Sequence, residues 1–194
     1  MLFVCYNLNV ANIKSEGKSK MSTPFIIVRG APGAGKSTFA RMLQHRLPNG
    51  ALIFETDNFF VDRRNHRDYH FDPKLLGLAH SWNQGEVICA CRDFPDVPVI
   101  VANTFKSVKK EIFPYLKIAD MFKRPVYIFT LMTAHDNEHG VPEDIVKRYR
   151  DNMEQCDLAT FKGCPLSPVY TRSIYTHLDA DYYATAFSQW IAKD

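Results

Sequence analysis

A glycine-rich segment near the start of the chain contains the residue types best suited to chemistry. It matches the pattern GxxxxGK[ST] and reads Gly30, Ala31, Pro32, Gly33, Ala34, Gly35, Lys36, Ser37, Thr38. In such a loop the backbone N–H groups point inward at phosphate oxygens, and the N-terminus of the following helix adds partial positive charge. We expect Lys36 to contact the β- and γ-phosphates and the Ser37 hydroxyl to ligate Mg²⁺. The segment therefore predicts a nucleoside triphosphate site with magnesium.

A single carboxylate, Asp57, follows the predicted strand after this loop. Ligands of an open parallel sheet bind at the carboxyl ends of its strands, which is where Asp57 falls. A motor ATPase would need an Asp-Glu pair at a strand end, and a GTPase switch would need an NKxD segment; the sequence offers neither. Asp57 suits a general base that accepts a hydroxyl proton, and it is also a candidate magnesium ligand. The alternative is a turn or helix N-cap aspartate.

Arginines are the candidates for contacts with other negative charge. Arg63, Arg64 and Arg67 lie among histidines and a tyrosine shortly after Asp57. Arginine neutralises phosphate while aromatic rings stack on bases, so this stretch predicts a DNA or RNA acceptor; an exposed loop of solvated charge is the alternative. The net charge of +3 allows such a partner without requiring it.

Phosphoryl transfer also needs positive charge at the γ-phosphate. Arg148, one turn into the helix that Pro142 opens, is the candidate, and Arg150 is the second. Either could equally be a solvated arginine on a helix face. His80 and Asn83, three residues apart on a predicted helix, could face an acceptor pocket or form a buried helix contact.

Strand and helix patterns alternate along the chain and must position these residues. The predicted strands are Pro24–Arg29, Ala51–Glu55, Pro98–Ala102, Val126–Leu131 and Ser173–His177. The predicted helices are Lys36–Leu47, one opening at Asp72-Pro73, Ser107–Phe122, one opening at Pro142, and Asp179–Lys193. This order predicts an α/β fold with a mostly parallel sheet, right-handed crossovers and helices on both faces.

Length and composition predict a single globular domain. The chain has 194 residues, of which 46% are hydrophobic and 23% charged, and this excludes the disordered, collagen-like and coiled-coil classes. We divide it into a flexible extension over 1–20 and one domain over 21–194, with Met21 as an alternative start. Five cysteines without a CxxC pair, and no apolar run near the ~20 residues that span a bilayer, predict a cytoplasmic protein with no membrane partner.

Taken together, these segments resemble the polynucleotide-kinase-like branch of P-loop kinases. The likeness runs from about Phe25 to Glu154 and includes the glycine-rich loop, Glu55–Phe60, Tyr69–Pro73, Ala79–Asn83, Pro98–Thr104 and His139–Pro142. It implies a three-layer P-loop kinase fold with a lid at about 133–141, and ATP-dependent phosphorylation of a hydroxyl with Asp57 as the base. It also implies that Asn103 and Thr104 line the acceptor side.

The sequence departs from the family pattern at two places and leaves the acceptor open. Ala102 stands where the family has an aspartate, and His135-Asp136 stand where the lid has an arginine. The resemblance allows a 5′-hydroxyl end of DNA or RNA, or the hydroxymethyl group of 5-hydroxymethyluracil in DNA, which some phage relatives phosphorylate. A small-metabolite or toxin-like kinase and a non-catalytic nucleotide-binding module remain as alternatives, and the oligomeric state is not predicted.

Overall fold

A five-stranded sheet forms the centre of the protein. The computed structural model describes residues 23–61, 69–133, 142–154 and 169–193. Its strands are β1 (Phe25–Gly30), β2 (Leu52–Phe54), β3 (Val99–Asn103), β4 (Val126–Leu131) and β5 (Val169–Ile174). They lie in the order β2-β3-β1-β4-β5, and every pair of neighbours is parallel. The predicted α/β fold with a mostly parallel sheet is confirmed.

In the part of the chain that the structure describes, five α-helices connect and cover the strands. They are α1 (Lys36–Arg46), α2 (Leu76–Asp93), α3 (Phe113–Met121), α4 (Glu143–Glu154) and α5 (His177–Lys193). Short 3₁₀ helices at Thr56–Phe60 and Pro73–Leu75 precede α2, and a π-helical turn at Val108–Ile112 leads into α3. Within the described ranges, no helix combines the length and the apolar character needed to cross a membrane.

The two faces of the sheet bury two separate clusters of apolar side chains. In β1, Phe25 and Ile27 pack with residues of α2 and α3, whereas Ile26 and Val28 pack with residues of α1 and α5. This alternation follows from the two-residue period of a strand. All six residues of β1 are buried, as expected for a strand covered on both sides. The three-layer arrangement expected from the sequence is therefore present.

The prediction for the last strand is wrong. Ser173–His177 was the expected strand, but β5 spans Val169–Ile174 and α5 begins at His177. β5 lies at the edge of the sheet and is largely exposed, so it has no continuous apolar run to mark it. The start of α5 is set by Thr176 and Asp179, since each backbone N–H donates to the other residue's side chain, at 3.0 and 3.1 Å.

Candidate active site

The glycine-rich loop lies between β1 and α1, as predicted. Gly33 and Gly35 have φ values of 75° and 77°, in the left-handed region that favours glycine. Gly30 is required for a different reason: a Cβ there would lie 3.0 Å from both the Leu131 carbonyl oxygen and the Ala34 Cβ. The loop is therefore packed directly against the end of β4, and a side chain at Gly30 would push it away.

A hydrogen bond from the residue two positions after β4 also holds the loop. The Thr133 hydroxyl, which is buried, donates to the Ala34 carbonyl oxygen at 2.7 Å. Ala34 in turn donates its backbone N–H to the Ala31 carbonyl oxygen at 3.1 Å. These two hydrogen bonds within the chain hold the loop in the curved shape that a phosphate cradle needs.

Lys36 begins α1 and reaches back into the loop. Its Nζ donates to the Ala31 carbonyl oxygen at 3.0 Å. Burial lowers the pKa of Lys36 from 10.5 to about 8, while the charges of Asp57 and Glu55 act in the opposite direction. The ammonium therefore lies close to both carboxylates and is poorly solvated, so negatively charged phosphate would stabilise its protonated form.

Asp57 lies in the 3₁₀ helix after β2, at the carboxyl end of the sheet. Its side chain is exposed, and Glu55 precedes this helix directly. The carboxylates of Asp57 and Glu55 and the hydroxyl of Ser37, in the first turn of α1, are oxygen donors of the kind that Mg²⁺ prefers. Ala102 lies on the α1 face of β3, so the methyl group there offers no ligand on the loop side of the sheet.

These donors fit a magnesium ion held mainly by the nucleotide. Mg²⁺ is usually bound through one or two carboxylates together with substrate phosphates and waters. Over the described part of the chain, no cluster of three His, Cys, Asp or Glu side chains could form an all-protein cage. Ser37 with Asp57, or with Glu55, is sufficient for the nucleotide-dependent kind of site.

Thr56, directly before Asp57, is held by side chains from two other elements. Its backbone N–H donates to Asn103 Oδ1 at 2.8 Å, and its hydroxyl accepts from Asn83 Nδ2 at 3.1 Å. His80 Nδ1 lies 3.4 Å from the same hydroxyl. Asn83 and His80 thus form an internal contact, and Asn103 uses its oxygen to fix the backbone beside Asp57. These residues position the carboxylate.

The turn after β3 has a strained conformation. Phe105 has φ 51°, which is uncommon for a bulky side chain, and it is only 2% exposed, with its ring edge-on to Tyr115. Such strain persists where surrounding packing imposes it, often at functional sites. The turn holds Thr104 half-buried and brings Lys106 Nζ to 4.2 Å from the ring centroid of Tyr149 on α4.

The two candidate arginines on α4 differ in exposure. Arg148 is exposed, whereas Arg150 is half-buried and its Nε is buried without a hydrogen-bond partner in the described residues. α4 packs against β1, the strand that leads into the glycine-rich loop. Arg150 is therefore the arginine of this helix that lies closer to the interior of the protein.

The predicted basic stretch and most of the lid lie outside the described residues. This applies to Arg63, Arg64 and Arg67, and to 134–141. Just after the basic stretch, Tyr69 and Phe71 are 42% and 51% exposed, and their rings are stacked with an interplanar angle of 11°. Burial and then the charge of Asp57 raise the pKa of Tyr69, so this aromatic pair lies near the carboxylate.

Sequence reasoning did not single out three residues that the structure brings to this edge of the sheet: Glu55, Thr133 and Arg29. Glu55 could have been found, because it ends a predicted strand two residues before Asp57. Arg29 could have been noticed as a charged residue inside an apolar strand, and it is buried between β3 and β4. Thr133 has no signal beyond its place after β4.

Sequence relatives cover most of this chain. No known protein-family model matches it. Human NEDD4-binding protein 2 is 29% identical over 155 residues, which is 75% of this chain but 8% of that protein. An uncharacterized protein of Pasteurella multocida is 26% identical and covers 74% of this chain and 83% of its own length. The 2′,3′-cyclic-nucleotide 3′-phosphodiesterase of Rattus norvegicus is 23% identical, over 71% of this chain and 33% of that protein.

Solved structures resemble the fold closely enough to classify it. The tunicamycin resistance protein of Deinococcus radiodurans has a TM-score of 0.53 and 19% identity, over 88% of this chain and 94% of that chain. A gluconokinase from Sinorhizobium meliloti has a TM-score of 0.53 and 12% identity, over 90% and 96%. Shikimate kinase from Acinetobacter baumannii has a TM-score of 0.50 and 14% identity, over 88% and 94%. The chain therefore has an α/β P-loop kinase fold.

Proposed function

We propose that this protein is an ATP-dependent kinase that transfers the γ-phosphoryl group to a hydroxyl. The observation behind this is the placement of Lys36 and Asp57: the ammonium reaches back into the glycine-rich loop, and the charge of the carboxylate acts on the pKa of this ammonium. A cation for the transferring phosphate and a base for the acceptor are the two groups that a kinase must bring together. The P-loop kinase fold supports the same conclusion.

The chain's own residues divide the work as follows. The backbone N–H groups of the loop hold the α- and β-phosphates, and Lys36 neutralises charge on the β- and γ-phosphates. Asp57 accepts the proton of the acceptor hydroxyl while the hydroxyl oxygen bonds to the γ-phosphorus. The bond from that phosphorus to the β-γ bridging oxygen breaks, and ADP leaves. Magnesium, when bound, would offset charge on the phosphate oxygens; Ser37 and Glu55 would be its protein ligands where Asp57 acts as the base.

A further cation must stabilise the transition state, and we propose Arg150 for this role ahead of Arg148. Charge builds up on the γ-phosphoryl oxygens as transfer proceeds, and a fixed donor inside a site of low dielectric stabilises it far more than a solvated one. Arg150 is half-buried on the helix that packs against β1, whereas Arg148 is exposed. Arg148, the exposed arginine of the same helix, is the alternative.

For the acceptor we propose a nucleic acid, either at a 5′-hydroxyl end or at the hydroxymethyl group of 5-hydroxymethyluracil. Tyr69 and Phe71 form an exposed stacked pair close to Asp57, and base stacking on such rings is the usual sequence-tolerant contact with unpaired nucleotides. Arg63, Arg64 and Arg67, just before this pair in the sequence, would neutralise phosphates of the backbone. Asn103 and Thr104 would line the acceptor side.

The test is transfer of radiolabelled γ-phosphate from ATP to a panel of acceptors. The panel holds a 5′-hydroxyl oligonucleotide, a duplex containing 5-hydroxymethyluracil, free nucleosides and small sugars. We expect labelling of one of the two nucleic acids by the wild type and none by Lys36→Ala. Labelling of a sugar or free nucleoside alone would favour a small-metabolite kinase. Tight ATP binding without labelling of any acceptor would favour a non-catalytic nucleotide-binding module.

A further inference from the structure

Arg29 is a buried cation with unpartnered hydrogen-bond donors in the described part of the chain. It lies one residue before the end of β1, is 1% exposed, and its Nε and Nη2 are buried without a hydrogen-bond partner among the described residues. A charged side chain removed from water is strongly unfavourable unless an opposite charge or hydrogen bonds compensate for it. Its presence therefore points to a partner that is not part of the described chain.

Arg124 shows how this protein satisfies a structural buried arginine. It is 2% exposed, and its guanidinium donates to the carbonyl oxygens of Val97, Phe94 and Pro95 at 2.8, 3.0 and 3.1 Å. These bonds join the segment after α2 to the start of β4. Arg29 has the same burial and none of this compensation, so packing alone does not account for it.

A second unpartnered donor lies beside Arg29. Asn103 is its register partner on β3 and is on the same face of the sheet; its Oδ1 is used by Thr56, but its Nδ2 is buried without a partner in the described part of the chain. Neighbouring donors without acceptors, one of them on a cation, are complementary to an oxyanion.

We propose that Arg29 and Asn103 Nδ2 form a binding site for a compact oxyanion, a phosphate or carboxylate group. Arg29 is on the α2 and α3 side of the sheet, whereas the glycine-rich loop leads into α1 on the other side, so this site is separate from the nucleotide phosphates. Because the guanidinium is buried, the site suits a single phosphate or carboxylate group. We assign this anionic group to the acceptor molecule, and that assignment rests on the proposed kinase function. The existence of the site does not depend on it.

Inorganic phosphate is the probe for the site. The protein is first saturated with Mg²⁺ and β,γ-imido-ATP so that the glycine-rich loop is filled, and phosphate is then titrated by calorimetry at constant ionic strength. We expect Arg29→Met to weaken phosphate binding by at least tenfold. Asn103→Asp should do the same, because it keeps the oxygen that binds Thr56 and gives Arg29 an internal carboxylate. Lys117→Met, which removes an exposed charge from α3 on the same side of the sheet, should bind as the wild type does.

Thermal unfolding without phosphate separates this site from a structural role. Arg29→Met and Asn103→Asp should unfold at a higher temperature than the wild type, because the first removes the uncompensated charge and the second pairs it with a carboxylate, whereas Arg124→Met should unfold at a lower one. Destabilisation by Arg29→Met comparable to that by Arg124→Met would overturn the proposal, as would phosphate binding that is absent from the wild type or unchanged in Arg29→Met. Loss of β,γ-imido-ATP binding in Arg29→Met would assign the residue to the nucleotide instead.

Kinetics then assign the anion and keep the two proposals apart. If the acceptor's own group occupies the site, phosphate should raise the acceptor KM competitively and leave kcat unchanged; an effect on kcat alone would identify free phosphate as a separate effector and overturn the assignment to the acceptor. A protein that binds phosphate through Arg29 but labels no acceptor would refute the kinase and retain the site. An active kinase that does not bind phosphate would refute the oxyanion site and retain the kinase.

Discussion

Asn103 Oδ1 accepts the backbone N–H of Thr56 at 2.8 Å, so the last residue of β3 fixes the position of the residue before Asp57. The bond is buried and connects the end of β3 to the segment that follows the neighbouring strand, β2. The family resemblance predicts that Asn103 lines the acceptor side of the site. The structure shows that one half of its amide group is used internally, and only the Nδ2 half is left to meet a ligand.

Asn103→Ala should lower kcat while ATP affinity stays near that of the wild type. The variant leaves the Thr56 N–H unpaired and buried, which costs about 1–3 kcal/mol, and the loss would appear as misplacement of Asp57. Since about 1.4 kcal/mol corresponds to tenfold in rate, we expect kcat to fall about 10- to 100-fold. Steady-state kinetics with Asn58→Ala, an exposed residue of the same 3₁₀ helix, serve as the control. A fall in melting temperature with kcat unchanged would contradict the positioning role.

Asp57→Asn tests the general base. The amide cannot accept the hydroxyl proton, so kcat should fall by about 10²–10⁴, the usual contribution of general acid–base catalysis. ATP affinity, measured by calorimetry in the presence of Mg²⁺, should change little. Glu55→Gln is the comparison, because the charge of Glu55, like that of Asp57, raises the pKa of Lys36. If Asp57→Asn instead abolishes Mg·ATP binding, Asp57 is a metal ligand and the base must be sought elsewhere.

Nucleotide binding should take up protons near pH 8 because of Lys36. Its pKa in the free protein is about 8, and bound phosphate anions favour the charged form, so about half a proton should be taken up at pH 8. Calorimetry in buffers of different ionisation enthalpy measures this uptake. Lys36→Arg, which stays charged, should remove it. Equal uptake in the variant would assign the proton to another group.

The same lowered pKa has a defined effect on stability. The folded protein binds fewer protons at Lys36 than the unfolded chain between pH 8 and 10.5. The contribution of Lys36 to the free energy of unfolding therefore rises with pH across that window, and the cost of burying the charge is fully present below it. In chemical denaturation of the nucleotide-free protein, Lys36→Met should flatten the rise; an unchanged pH profile would contradict the burial of the ammonium.

Gly30→Ala should disrupt the phosphate loop, whereas Gly85→Ala should be harmless. A Cβ at Gly30 meets the Leu131 carbonyl oxygen at 3.0 Å, but a Cβ at Gly85, inside α2, has nothing within 4 Å. We expect Gly30→Ala to lose about 1–3 kcal/mol of stability and most nucleotide affinity. Gly85→Ala should gain up to about 1 kcal/mol, because alanine is the better helix former. Normal ATP binding by Gly30→Ala would show that the loop can shift without loss of function.

The nucleic-acid acceptor predicts a strong effect of salt. If Arg63, Arg64 and Arg67 contact phosphates, the logarithm of the acceptor KM should rise with that of salt by about 0.9 per contact for duplex DNA, or about 0.7 for a single strand. Arg64→Ala should reduce this slope by nearly one contact and leave kcat at saturation close to the wild-type value. A flat salt dependence in the wild type would favour a small-metabolite acceptor.

What the sequence could predict depends on how local each signal is. The central strands and the glycine-rich loop were predictable because their apolar runs and glycine spacing lie within short segments. The contacts of Thr56 were not, because Asn83 and Asn103 approach it from segments distant in sequence. Arg29 was visible as a charged residue in an apolar strand, but only the structure shows that its Nε and Nη2 have no hydrogen-bond partner among the described residues.

The central position of β1 has a consequence for biosynthesis. Both strands that pair with it, β3 and β4, lie later in the chain, and Thr133, which fastens the loop, comes later still. A ribosome therefore completes the nucleotide-binding segment long before the backbone that supports it emerges. Until then the apolar β1 has no hydrogen-bonding neighbour in the sheet and is open to aggregation and to chaperones. The glycine-rich loop gains its contacts with Leu131 and Thr133 only after this later part of the chain has been made.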